Sequence, residues 1–153
     1  MNPESFRSEL VRLTQVLAGR ALDADLGAWL NREHGPQSAT YAGLKAACEA
    51  GVAAGWLCNR EADGIRYGRI FKPAPDLLGF SVDVVDMADM KGPHHVHPHG
   101  EIDLIMPQQG DARFDGRPGG WLVLPAGSAH HPTVSQGRAL VLYLLPQGAI
   151  EFT

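Results

Sequence analysis

Cysteine is scarce in this sequence: Cys48 and Cys58 are the only two among 153 residues. They form neither a CxxC pair nor a dense, evenly numbered framework, which excludes a disulfide scaffold and predicts reduced thiols in a cytoplasm. Charge excess of one sign is also missing. Thirteen Lys and Arg stand against seventeen Asp and Glu, a formal charge of −4, so nothing points to nucleic acid or to an anionic membrane surface as a partner. No apolar run approaches the ~20 residues of a membrane-spanning helix, and the opening MNPESFRSELVRL lacks the apolar stretch of a secretory signal. There is no GxGxxG fingerprint and no P-loop, which removes the commonest nucleotide-binding signatures. What remains is an ordinary globular composition, 44% hydrophobic and 20% charged, in a length that suits one domain.

Histidine is the exception to this plainness. Six of the seven histidines (His94, His95, His97, His99, His130 and His131) fall between positions 94 and 131. Histidine is the commonest metal ligand and the side chain poised for proton transfer near neutral pH. Such clustering predicts a site.

The hydrophobic pattern changes near Gly55. Before it, Phe6, Leu10, Leu13 and Leu17 recur at helical spacing, with Asn2-Pro3 as an N-terminal cap and Gly19 as a stop. A second helix carries Leu26, Trp29 and Leu30 and ends at Gly35-Pro36. A third, from about Ser38, presents Tyr41, Leu44 and Cys48. After Gly55 the pattern breaks into short β runs near 56–59, 64–71, 79–87, 93–97, 101–106, 111–115, 120–124, 138–145 and 149–152, with turns at Gln109-Gly110 and Asp115-Gly116. These imply a mainly β fold, an antiparallel sandwich or barrel. The expected organisation is a helical segment over 1–55 packed on a β-barrel over 56–153.

Within the β region two segments carry chemistry. In Gly92-Pro-His-His-Val-His-Pro-His-Gly-Glu101, His95 and His97 lie two apart, so on a strand both imidazoles point to one face. Pro98 and Gly100 allow a turn that brings the Glu101 carboxylate back towards them. In Gly119-Gly-Trp-Leu-Val-Leu-Pro125-Ala-Gly127-Ser-Ala-His130 a strand ends in a Pro-x-Gly turn and a further histidine returns to the interior. His94, His99 and His131 hold no position in either pattern and read as surface or hydrogen-bonded residues.

The two segments resemble the paired motifs of the cupin superfamily, HxHxxxE followed by G, five residues and PxGxxH. Gly119, Pro125, Gly127 and His130 match the second at every spacing, and His95, His97 and Glu101 match the core of the first. That resemblance implies a single cupin-type antiparallel β-barrel, or jelly roll, holding one divalent ion on His95, His97, Glu101 and His130. Imidazole-rich ligation admits zinc, iron, nickel, copper or manganese. It also implies a homodimer.

At closer range the strings GWLCNRE, GFSVDVVDM, HPHGEIDLIMP, GDARFDG, PAGSAHHPTV and ALVLYLLPQGAIEF resemble the 4-hydroxylaminobenzoate lyases of nitrobenzoate-degrading bacteria. This implies conversion of a small aromatic acid, 4-hydroxylaminobenzoate, with water to 3,4-dihydroxybenzoate and ammonia. The N–O bond is reduced as the ring is oxidised, so no electron carrier is needed. Two other readings share the same ligands: a cupin dioxygenase or isomerase, and a non-catalytic metal-bearing module that binds small molecules.

Around the ligands, Glu101 and Asp103 are the candidate catalytic carboxylates. Asp103 shares the Glu101 face, where it can orient a ligand histidine or transfer a proton. On the run 65–71, Ile65, Tyr67, Arg69 and Phe71 share a face. Arg69 and Tyr67 are therefore candidates for substrate binding, Arg69 by gripping a carboxylate in bidentate fashion. Trp121, with Tyr143, is a candidate aromatic wall.

Overall fold

The computed structural model describes residues 1–153. Three helices come first: α1 (Pro3–Leu17), α2 (Ala24–His34) and α3 (Ala39–Ala54). Each begins on a side chain that satisfies an orphan amide. Asn2 accepts from Ser5 N–H while the Ser5 hydroxyl returns to the Asn2 backbone, Asp23 accepts from Leu26, and Ser38 accepts from Tyr41. The stripe Phe6, Leu10, Leu13 and Leu17 is buried, as its spacing predicts.

Nine strands follow: β1 (Arg60–Ala62), β2 (Ile65–Phe71), β3 (Phe80–Lys91), β4 (His95–His97), β5 (Glu101–Phe114), β6 (Gly120–Leu124), β7 (Ser128–His130), β8 (Thr133–Pro146) and β9 (Glu151–Phe152). Every pairing is antiparallel. The strands form a cupin-type jelly roll of two sheets, one ordered β1-β2-β3-β8-β5-β6 and the other β7-β4-β9. The expected fold class is right, with one difference from the expected closed barrel: the hydrogen-bond ladder does not run unbroken round the interior, because β6 and β1 stay as sheet edges.

The strand boundaries differ where turn signals misled. Gln109-Gly110 does not end a strand. Pairing of β5 with β8 slips between Pro107 and Gln109 and again between Gly110 and Arg113, so these residues bend one long strand through bulges. Residues 56–58 form no strand. Leu57 and Cys58 are instead buried beneath α3. Strand β7, read as part of a turn, pairs along its length with β4.

The large sheet is apolar on both faces. Its outer face (Val82, Val84, Ile102, Leu104, Trp121, Leu142, Leu144) shares one core with Phe6, Leu10, Leu26, Leu30 and Leu44 of the helices. Helix α2 also protects the edge strand β6. Asn31 donates its side-chain amide to the Trp121 carbonyl at 2.9 Å and accepts the Trp121 N–H at 2.7 Å, replacing a missing β partner. The inner face (Met87, Ile105, Phe114, Leu122, Val141, Tyr143, Leu145) forms a second, smaller core, and it is on this side that the histidines gather.

Candidate metal centre

Strand β4 places His95 and His97 on one face, and β7 places His130 directly opposite His95. Between β4 and β5, Gly100 makes the return turn at φ +89, and its N–H bonds the His97 carbonyl at 3.2 Å. A side chain there would meet the Leu124 carbonyl oxygen at 2.8 Å, so only glycine closes the turn and delivers Glu101 to the histidines. His97 and Glu101 are fully buried and His95 nearly so.

The three Nε2 atoms converge: His95 to His97 and His97 to His130 are 3.0 Å each, and His130 to His95 is 2.9 Å. Glu101 Oε2 lies 3.2 Å from His97 Nε2 and 3.8 Å from His130 Nε2. The four ligand atoms all fall within 4.8 Å of one another. Burial holds the His95 imidazole down at about 4 and His97 at about 3, with neighbouring histidines adding to the effect. These two rings are therefore neutral near pH 7. Both Glu101 oxygens are buried with no hydrogen-bond donor, and burial pushes that carboxyl up to about 7. Neutral imidazoles aimed at one point beside a buried carboxylate without a donor are costly alone. They are what a divalent cation requires of its ligands, so the donor set fits a metal ion.

Asp103 follows two residues along β5 on the same face, fully buried, with neither oxygen hydrogen-bonded. Burial, then the adjacent Glu101 carboxylate, raises its carboxyl well above the usual carboxylate range. It donates to and accepts from no histidine. The carboxylate that faces one of the converging histidines is Asp115, whose Oδ2 lies 2.5 Å from His130 Nδ1. Sequence reasoning reads Asp115 only as a turn residue.

In the large sheet Asp103 stands opposite Tyr143, Tyr143 opposite Asp83, and Asp83 opposite Arg69. This continuous row puts Arg69 on the inner face. Its guanidinium is already engaged, however: Nε lies 3.1 Å from Asp83 Oδ1, and Nη2 donates to Asp83 Oδ2 and to the Gly148 carbonyl at 3.2 Å each. Tyr67 is on the same face at the sheet margin, 37% exposed. Phe71 leaves that face, because the register shifts between Arg69 and Phe71 and turns its ring onto Phe6.

Trp121 is a correction. It pairs with Leu104 on the outer face, packs in the helix-covered core, and donates Nε1–H to the His34 carbonyl at 2.8 Å. It walls no part of the centre. The aromatic neighbours are Phe114, its ring 6.2 Å from that of His130, and Phe152, 5.6 Å from that of His95. The sequence reading singled out neither. His94 and His131 face each other outside the centre, with ring centroids 4.9 Å apart.

A family profile described as "PnbB: 4-hydroxylaminobenzoate lyase" matches residues 8–152. A protein of Nocardioides sp. (strain LMS-CY) named 4-hydroxylaminobenzoate lyase is 32% identical, with 98% of this chain and 94% of that protein covered. One of the same name from Pseudomonas putida is 30% identical over 95% of each. Among solved structures, an oxalate oxidase in complex with the substrate analogue glycolate is 23% identical with a TM-score of 0.46, covering 61% of this chain and 57% of that one. A protein with a cupin-like fold from Ralstonia eutropha JMP134 is 20% identical with a TM-score of 0.41, covering 54% and 55%.

Proposed function

This chain belongs to the 4-hydroxylaminobenzoate lyase family, and from that premise we propose that it converts 4-hydroxylaminobenzoate, or a close hydroxylamino-aromatic acid, and water to the 3,4-dihydroxy acid and ammonia. The observation that carries the reading is the buried convergence of three Nε2 atoms and Glu101 on one point, in a family of enzymes named for this substrate. His95, His97, His130 and Glu101 would hold one divalent ion. Imidazole-rich ligation with one carboxylate suits zinc, iron, nickel or manganese.

Bound there, the ion supplies Lewis acidity to an oxygen of the substrate or of water. The remaining work falls to the protein. Cleaving the N–O bond leaves a hydroxyl that needs a proton, and we assign Asp103, whose carboxyl burial raises well above the usual carboxylate range, to give one. The water that adds to the ring carbon next to the C–N bond returns that proton to the carboxylate, and a second water hydrolyses the resulting C=N bond, placing oxygen on that carbon and releasing the nitrogen as ammonia. Phe114 and Tyr143, with ring centroids 6.2 Å apart, supply an apolar, aromatic inner surface for the ring.

Arg69 remains the candidate anchor for the substrate carboxylate, since Nη1 makes no hydrogen bond within the protein while Asp83 fixes the rest of the fork. Arg69→Ala is expected to raise KM for the acid several-fold at nearly constant kcat, and to leave turnover of an analogue lacking the carboxyl unchanged. An equal loss on both compounds would remove Arg69 from substrate binding.

Anaerobic incubation with 4-hydroxylaminobenzoate tests the reading. Ammonia and 3,4-dihydroxybenzoate should appear in equal amounts without oxygen. A requirement for oxygen would favour dioxygenase chemistry instead.

A further inference from the structure

We propose that Asp115 is a positioning residue that selects the tautomer of His130, holding the imidazole proton on Nδ1 so that the Nε2 lone pair is free to bind the metal ion. The inference rests on the metal-centre reading above but concerns a residue outside the ligand set. An ionised carboxylate accepts hydrogen bonds and cannot donate them. Asp115 uses both of its oxygens: Oδ1 accepts the Thr133 backbone N–H at 3.0 Å, and Oδ2 faces His130 Nδ1 at 2.5 Å. His130 must therefore be the donor at Nδ1, and its other nitrogen carries the lone pair. That other nitrogen is the one lying 2.9 and 3.0 Å from the Nε2 atoms of His95 and His97. No carboxylate faces Nδ1 of His95 or His97, and neither atom has a hydrogen-bond partner. Among the three imidazoles, only His130 has its tautomer fixed by a charge.

The local backbone gives the proposal a sharp alternative. Asp115 and Gly116 form the two-residue turn between Phe114 and Arg117, whose backbones exchange hydrogen bonds of 2.9 Å each way. Both turn residues have positive φ, +50 and +77. Asn-Gly is among the best sequences for such a turn. If Asp115 matters only for the turn, asparagine is the mildest possible replacement and alanine, strained at positive φ, is the harsher one.

The tautomer role predicts the opposite order. Asparagine offers one acceptor oxygen to two N–H groups. The Thr133 amide cannot change its polarity, so it keeps the oxygen, and the Asn NH2 then faces His130 Nδ1. That nitrogen must become an acceptor, which moves the ring proton to Nε2 and points it into the centre. Alanine leaves His130 free to adopt either tautomer.

The experiment uses the whole protein with its metal removed, titrated with Mn2+ or Fe2+ by calorimetry, together with nitrogen NMR of the histidines. Asp115→Asn should keep its thermal midpoint and lose about 10–100-fold in metal affinity, with a loss at least as large as that of Asp115→Ala. In the metal-free wild type, His130 should be protonated at Nδ1, and in Asp115→Asn at Nε2. Wild-type metal affinity in Asp115→Asn, or a smaller loss than in Asp115→Ala, would overturn the proposal. So would a wild-type His130 protonated at Nε2, however the variants fold. If the wild type binds no metal while its His130 is still protonated at Nδ1, the metal-centre reading fails and the tautomer assignment stands.

Discussion

Replacing His97 with alanine is expected to abolish metal binding and ammonia release together. His97 is fully buried, and its Nε2 is within 3.0 Å of both other imidazole nitrogens and 3.2 Å of Glu101 Oε2. It is the ligand nearest to all the others. Losing an outer partner that merely orients a ligand costs about 10–100-fold in affinity, and losing this ligand outright should exceed that. The two histidines and the buried carboxylate left behind lose the imidazole that lies closest to Glu101, and Glu101 stays without a donor. Metal analysis and an ammonia assay on the purified variant measure both effects. His99→Ala, an exposed position outside the ligand set, should keep full metal and activity. A His97→Ala variant that releases ammonia at the wild-type rate would show that the histidines are structural.

Asp103→Asn should separate chemistry from ligation. Its carboxyl is fully buried without a hydrogen-bond partner, so the native protein bears the cost of desolvating it. An amide of the same shape cannot ionise and removes part of that cost. The variant should retain its metal and unfold at the same temperature as the wild type or a higher one. Its rate should nevertheless fall by ~10²–10⁴-fold, the usual loss for general acid–base catalysis. A cation at the centre would offset the Glu101 charge, the second cause of the raised Asp103 carboxyl, and would leave burial, the first. Kinetics, melting temperature and metal content on one preparation decide the matter. An unchanged rate removes Asp103 from the reaction, and lost metal would make it part of the ligand scaffold instead.

How far the sequence could be read depended on the range of each interaction. The four converging residues were legible because their cues are local: His95 and His97 alternate on one strand, and proline and glycine frame the turns before Glu101 and His130. The helical stripe of α1 was legible for the same reason. Trp121 was misplaced because β6 is buried on both faces, so alternation along it does not say which face is inner. Only the pairing of Leu104 with Trp121 and of Asp103 with Leu122 decides that, and register is a long-range property. Asp115 escaped for a related reason. It stands fifteen residues from His130, and its turn chemistry with Gly116 explained it well enough that nothing local signalled a second role. Strand β5 was split in two because a bulge at Gly110 and a turn use the same residues.

The central claim, that turnover depends on an ion held by His95, His97, Glu101 and His130, is tested most directly by stripping and restoring the metal. The protein is dialysed against a chelator, freed of it, and assayed anaerobically for ammonia from 4-hydroxylaminobenzoate before and after one equivalent of Mn2+, Fe2+ or Ni2+ is added back. The structure predicts loss of ammonia release on stripping and its return with one equivalent of a competent ion. Full activity of the metal-free protein would contradict it.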